Sequence, residues 1–289
     1  MSHLLCFGLG FSAKILAARV KAKGWTISAT SRSESGATSI RELGYRAFVF
    51  GGSAPLPSEG LDGVTHVVIS APPGADGDPV IKQHRQDFAA RAAQFQWVAY
   101  LSTTGVYGDH GGRLVTEDTP LTPNTERGHK RLTAETQWLD LWREHGLPVH
   151  IFRLAGIYGP GRNQLLSLLD GTAKRVIKPG QVFSRIHVED IANILEASIA
   201  RANPGRAYNV CDDEASPPQD VVAYGAELLG LPVPPGTPFD EATLSPMARS
   251  FYADSKRVSN ERLKRELGVE LTYPTYREGL GAIAKKLRP

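Results

Sequence analysis

The first half of the chain alternates short apolar runs with amphipathic stretches. Residues 4–7 are an apolar run of strand length. Residues 12–23 place Ile15, Leu16, Arg19 and Val20 three and four apart, and Gly24 follows where a left-handed helix cap is expected. Residues 25–30 predict a second strand. Residues 40–43 belong to a second helix closed by Gly44, and 46–50 predict a third strand. Residues 64–70, rich in valine and isoleucine, predict a fourth strand, and 79–95 a helix. A fifth strand over 97–102, a long helix over 126–145 and a sixth strand over 149–154 complete the series. Repeated strand–helix–strand units of this length predict an α/β fold, a doubly wound parallel sheet with helices on both faces.

Beyond Gly159-Pro160-Gly161 the pattern loosens. It predicts a short helix over 165–169, a strand over 185–188, a helix over 189–202 and a strand over 206–211. Ser216-Pro217-Pro218 opens a helix that runs to Leu229 and stops at Gly230. The proline-rich stretch 231–246 reads as a surface loop, and 259–267 as the last helix, ended by Gly268. Residues 1–162 and 185–212 are expected to form the sheet domain. Residues 163–184 and 213–289 are expected to form a small C-terminal α/β substrate lobe.

With 289 residues, 41% of them hydrophobic, the chain can bury a full α/β core and a second lobe. The net charge of +3 comes without any lysine- or arginine-rich run, so nucleic acid is not an expected partner. A small anionic ligand accounts for the excess equally well. Cys6 and Cys211 lie far apart without a CxxC, which reads as two buried free thiols in a reducing compartment. No His/Cys spacing supports a metal site. Residues 3–20 are apolar but interrupted by Lys14 and Arg19, and read as the first strand and helix rather than a signal peptide. No membrane span is expected, and the expected location is the cytoplasm.

The chemistry starts at Gly8-Leu9-Gly10-Phe11-Ser12-Ala13. Gly8 permits a tight turn after the first strand, and Gly10 lets a pyrophosphate approach the backbone. Ala13 allows close helix–strand contact, and the helix N-terminus turns its N–H groups toward phosphate oxygens. Glycine-rich turns also occur without ligands, but this one stands between a strand and a helix at the start of an α/β chain. That context makes it the dinucleotide turn of a Rossmann-type sheet. The second strand ends Thr30-Ser31-Arg32-Ser33, with no carboxylate to bind a ribose 2′-hydroxyl. Arg32 can pair with a 2′-phosphate through its planar fork, and Ser31 and Ser33 can donate hydroxyls. The expected cofactor is NADP(H) in preference to NAD(H).

GLGFSA at 8–13, YLSTTGVYGD at 100–109, RLAGIYGPGR at 153–162 and RIHVEDIA at 185–192 together resemble the extended branch of the short-chain dehydrogenase/reductase superfamily. The resemblance covers nearly the whole chain. It implies a Rossmann domain with a small substrate lobe, a layout that sugar-nucleotide epimerases, dehydratases and carbonyl reductases share. It also implies catalysis by a Ser/Thr after the fifth strand, here Thr103, and by a YxxxK on the next helix. That helix has no YxxxK. Aligning Ala134-Glu135 with the family's usual AE puts Arg127 at the tyrosine and Arg131 at the lysine; a shift of one residue puts Glu126 and Lys130 there. A guanidinium cannot exchange protons near neutrality, although Arg131 could still bind ribose hydroxyls. The chain is thus similar to atypical extended members. Ser70-Ala71-Pro72-Pro73 fits that group and places Ser70, Ala71 and Pro72 beside the cofactor, and Lys256-Arg257-Val258-Ser259-Asn260 fits it as well.

Tyr107 is the candidate substitute acid, against a packing role in its VYG turn. Tyr158 and His129 are weaker candidates. Arg127 and Arg185 are candidate contacts for an anionic substrate, against a solvated helix face and a local ion pair with Glu189 or Asp190. Two readings stay open. One is an NADP-dependent reductase, epimerase or dehydratase acting on a small sugar-like or anionic carbonyl substrate. The other is a non-catalytic NADP sensor or scaffold. The sequence leaves a homodimer open.

Overall fold

The computed structural model describes residues 1–287. In chain order it contains β1 (His3–Phe7), α1 (Phe11–Ala22), β2 (Thr26–Ser31), α2 (Glu34–Glu42), β3 (Arg46–Val49), β4 (His66–Ile69), α3 (Pro79–Ala90), β5 (Trp97–Thr103), β6 (Leu114–Val115) and α4 (Glu126–His145). There follow β7 (Val149–Leu154), β8 (Gly156–Tyr158), α5 (Gln164–Leu169), β9 (Arg175–Ile177), β10 (Arg185–His187), α6 (Val188–Ala200) and β11 (Ala207–Val210). The chain continues through α7 (Pro218–Leu229), β12 (Gly236–Pro238), α8 (Pro246–Phe251), β13 (Arg257–Val258), α9 (Glu261–Leu267) and α10 (Tyr276–Leu287).

Seven strands form the parallel sheet, in the order β11-β7-β5-β4-β1-β2-β3. Leu4 of β1 pairs with Ile27 of β2 on one side and with His66 of β4 on the other. The chain winds from β1 through β2 to β3, then returns and winds the opposite way from β4. In such sheets the reversal opens a crevice at the carboxyl ends of the two strands that flank it.

The chain divides into two compact units. The first holds Met1–Thr103, Glu126–Arg153 and Ala192–Tyr208; the second holds Thr104–Thr125, Leu154–Ile191 and the chain from Asn209 onward. The division gives 104–125, 154–162, 185–191 and 209–212 to the second unit, where the sequence pattern places them with the sheet. Residues 288–289 of the expected lobe lie outside the described residues.

In the first unit Leu5, Phe7, Val67, Ile69, Val98, Tyr100, Val149 and Ile151 alternate along their strands and share one sheet face. Val80, Ile81 and Phe88 of α3 and Ala134, Trp138 and Leu141 of α4 cover that face. Helix α3 starts at Pro79, whose missing N–H is no loss in a first turn, with Asp78 Oδ1 accepting from Val80 N at 2.8 Å. It ends at Ala90 rather than running to 95; a short 3-10 turn over Ala92–Gln94 closes the segment.

Within the buried stripe of α4 sits one carboxylate, Glu135. Arg153 of β7 donates to it from Nε at 3.3 and 3.2 Å and from Nη2 at 2.9 Å, and Ser102 of β5 donates its hydroxyl. Both charged side chains are nearly sealed from water. Desolvation makes such a pair a poor source of net stability, but removing one partner strands the other charge.

In the second unit, β8 pairs with β10, β9 with β12 and β6 with β13, all parallel. Leu165, Val221, Tyr276, Leu280 and Ile283 bring α5, α7 and α10 together. Two expectations are corrected here. The stretch 231–246 contains β12, which pairs with β9, so it is not wholly loop. The helix ending at Leu267 is not the last, because α10 follows. Its buried Tyr276, Leu280, Ile283 and Ala284 recur at helical spacing. No described helix is long and apolar enough to cross a membrane.

Glu135→Ala and Arg153→Ala should each lower the unfolding free energy by about 3–5 kcal/mol, measured by urea denaturation. The double variant should lose far less than the sum, because the second removal takes away a charge already stranded. Additive losses would show that the two side chains are not coupled.

Candidate dinucleotide site

The carboxyl ends of β1, β2, β4 and β5 share one edge of the first unit's sheet, and most of the expected site residues lie there. Gly8 follows β1 with φ +85°, a conformation that side chains disfavour. Its N–H donates to Thr30 Oγ1 of β2 at 2.9 Å, and its carbonyl accepts from Ser70 Oγ beyond β4 at 2.6 Å. Ser70 N and Ala71 N both donate to Phe7 O at 3.0 Å. Hydrogen bonds thus brace the turn from both flanks of the topological switch. A Cβ on Gly8 would come within 3.1 Å of Ser70 Oγ and 3.4 Å of Ala71 N.

Gly10 differs. Its backbone is extended, and a Cβ there would meet only Ser70 Oγ, at 3.8 Å. The protein itself therefore leaves room for a side chain at position 10. A group lying over the turn would need that room, and a pyrophosphate is such a group. Gly10 also heads α1 without any side-chain cap, so the first turn's N–H groups are not capped by a protein side chain. Phe11 is half-buried, and Ser12 and Ala13 are buried against the sheet. These features fit a bound dinucleotide.

At the end of β2, Ser31 is half-buried and Arg32 is exposed. Ser33 caps α2, its Oγ accepting from Gly36 N at 3.2 Å, so part of its capacity is already used. Gly36 has to be small, since a Cβ there would lie 2.0 Å from Ser31 Oγ. Beyond β4, Ala71 is half-buried and Pro72 exposed.

Thr103 ends β5, half-buried. Arg131 of α4 donates from Nη1 to Leu101 O at 2.6 Å and to Tyr100 OH at 3.3 Å. Lys130 instead pairs with Glu126 one turn back, at 2.5 Å, and Arg127 is exposed. Between the two registers the sequence allows, Arg131 is the residue that faces the strand. Desolvation raises the Tyr100 hydroxyl well above its usual range, and Arg131 opposes that shift.

Residues 88–211 match the family model described as the NAD dependent epimerase/dehydratase family. A conserved protein of unknown function from Silicibacter pomeroyi DSS is 54% identical over 100% of both chains, with a TM-score of 0.92. Protein YeeZ of Escherichia coli K12 is 29% identical over 288 residues, covering 95% of this chain and 97% of that protein. A dTDP-glucose 4,6-dehydratase from Bacillus anthracis Ames, solved in complex with NAD, superposes with a TM-score of 0.77 over 99% and 96% of the two chains. At 19% identity, that likeness is one of fold. This chain belongs to the extended short-chain dehydrogenase/reductase superfamily.

Within this superfamily the chain is unusual at α4, which carries no tyrosine. In the second unit Tyr107 is wholly buried and donates its hydroxyl to Asn209 Oδ1 at 2.7 Å. A tyrosine so placed has its proton committed to a neighbour. His129 is exposed on α4. Arg185 donates from Nη1 to Phe183 O at 2.9 Å and Ser216 O at 3.3 Å. Asp212, not Glu189 or Asp190, exerts the largest electrostatic pull on its guanidinium. Sequence reasoning passed over Asp212 and undervalued Glu135, since only burial distinguishes them from surface acids. Asp78-Pro79 did carry a readable cap signal. No cluster of three or more potential metal ligands occurs among the described residues.

Gly8→Ala should lower thermal stability, by about 1–3 kcal/mol for the forced backbone. Gly10→Ala should leave unfolding nearly unchanged yet weaken dinucleotide binding at least tenfold, read by cofactor fluorescence. Full affinity in Gly10→Ala would show that nothing lies close over position 10.

Proposed function

We propose that this extended short-chain dehydrogenase/reductase binds NADP(H) in preference to NAD(H). We propose further that it uses the cofactor in a reductase, epimerase or dehydratase reaction on a small sugar-like or anionic carbonyl substrate. The observation that carries the cofactor preference is the end of β2. Arg32 is exposed there, with no hydrogen bond or ion pair to the described residues, beside the hydroxyl of Ser31 and the start of α2. No carboxylate stands at that tip to repel a 2′-phosphate. A guanidinium paired with a phosphate contributes about 1.5–3 kcal/mol in a charged hydrogen bond.

A bound nicotinamide would exchange hydride with the substrate carbon. The chain's own part is to bind, orient and manage the proton. Gly8, Gly10, Phe11, Ser12 and Ala13 would hold the pyrophosphate. Ser70, Ala71 and Pro72 would border the cofactor, and Arg131 would reach ribose hydroxyls with the donors that Leu101 and Tyr100 leave unused. Thr103 would donate its hydroxyl to the reacting oxygen. Arg127 in the first unit and Arg185 in the second would each be a candidate contact for an anionic ligand group. Neither arginine of α4 can serve as the acid. Tyr107 can do so only by releasing Asn209, so a water or a substrate group is the better proton carrier.

Arg32→Ala should weaken NADPH binding about 10- to 100-fold and leave NADH binding nearly unchanged, both read by cofactor fluorescence. In a screen of carbonyl compounds and nucleotide sugars, Thr103→Ala should abolish any turnover found while preserving cofactor affinity. Tight NADPH binding with no turnover across the screen would favour the non-catalytic sensor instead.

A further inference from the structure

One buried charge in the second unit has no role in the chemistry above. Asp212 follows β11 and is 2% exposed. Neither of its carboxylate oxygens makes a hydrogen bond of good geometry; the backbone N–H groups of Arg185 and Glu214 lie near enough only to favour its charge weakly against burial. Its backbone N–H donates to Arg185 O at 2.7 Å, which ties the residue to the edge of β10. Arg185 spends Nη1 on the carbonyls of Phe183 and Ser216. Its Nη2 and Nε make no hydrogen bond with the described residues.

A native protein rarely seals a carboxylate without well-formed hydrogen bonds, because the ionised form loses more in hydration than weak, poorly aligned donors return. Here the guanidinium lies close enough to act electrostatically, yet the two side chains do not bond. The other titratable groups around the pair are Tyr158 of β8, Tyr276 of α10, Tyr252 after α8, and the adjacent Cys211 and Asp213. Desolvation raises all three tyrosines and Cys211, so none of them supplies a charge near neutrality. Asp213 is already engaged by Asn260 at 2.6 Å and Lys264 at 2.5 Å. Arg185 is therefore the one cation acting on Asp212, and the one neighbouring acid, Asp213, is already held by Asn260 and Lys264.

We propose that Asp212 gates the anion affinity of Arg185: as a neutral acid it leaves the guanidinium's charge to a carboxylate or phosphate of the ligand, and as a carboxylate it neutralises that charge. This rests on Arg185 as the anion contact named above and adds its regulator. Burial pushes the Asp212 carboxyl up to about 8, with Arg185 pulling the other way. The neutral form is then the resident one at neutral pH, and anion binding weakens as the pH rises through that value.

The test uses sulfate, which does not titrate in this range, added to full-length protein saturated with NADPH. Binding is read at pH 6 and pH 9.5 for the wild type, Asp212→Asn and Arg185→Gln. Wild-type affinity should fall at least tenfold between the two pH values. Asp212→Asn should bind equally at both, and Arg185→Gln weakly at both. Identical pH profiles for the wild type and Asp212→Asn would overturn the gate while leaving Arg185 as the anion contact. Unchanged binding in Arg185→Gln would overturn that contact itself.

A second measurement needs no variant: the 13C carboxyl resonance of Asp212 should titrate with a midpoint near 8, and a midpoint near 4 would refute the proposal. Linkage gives the matching stability signature. Between about pH 4 and 8 the native state holds a proton that the unfolded state has released. The wild-type folding constant should therefore fall about tenfold per pH unit relative to Asp212→Asn across that window.

Discussion

The buried carboxylate of Glu135 decides how α4 is rotated against the sheet. A helix turns 100° per residue, so one fixed position sets the direction of every other. With Glu135 held by Arg153 of β7 and Ser102 of β5, the residue four positions earlier must face the same strands. That residue is Arg131, and its guanidinium meets Leu101 O and Tyr100 OH. Lys130, one residue away, turns outward to Glu126. The ion pair contributes orientation more than net stability, since desolvation consumes much of its attraction.

That orientation separates holding a cofactor from doing chemistry. Everything at the carboxyl edge of β1, β2 and β4 is arranged around a turn that hydrogen bonds brace from both sides. The position where the superfamily keeps an acidic hydroxyl instead carries a permanently charged group. The buried Tyr107 shares its proton with Asn209. Any reaction on this scaffold must therefore differ from the superfamily's usual proton transfer, even though Thr103 stands at the end of β5.

The glycine turn and the end of β2 could be read from sequence because their chemistry is local: a few consecutive residues specify the turn, the cap and the missing carboxylate. The strands of the main sheet were legible for the same reason, since buried parallel strands are apolar runs. Strand β12 was not, because Gly236, Thr237 and Pro238 carry no alternating pattern and take their conformation from β9. Helix α10 had a legible stripe at Tyr276, Leu280 and Ile283, but the glycines Gly279 and Gly281 interrupt it. Asp212 could not be recognised at all. A carboxylate becomes unusual only when it is buried without a well-formed hydrogen bond, and that is a property of packing, not of neighbours in sequence.

The most direct measurement is a fluorescence titration of the wild-type protein with NADPH and with NADH under identical salt. NADPH binding at least tenfold tighter than NADH is the result the proposal expects, because Arg32 and Ser31 would meet a phosphate in one and only hydroxyls in the other. Equal affinities would contradict the role given to the end of β2, and no binding of either would contradict the glycine turn as a dinucleotide site.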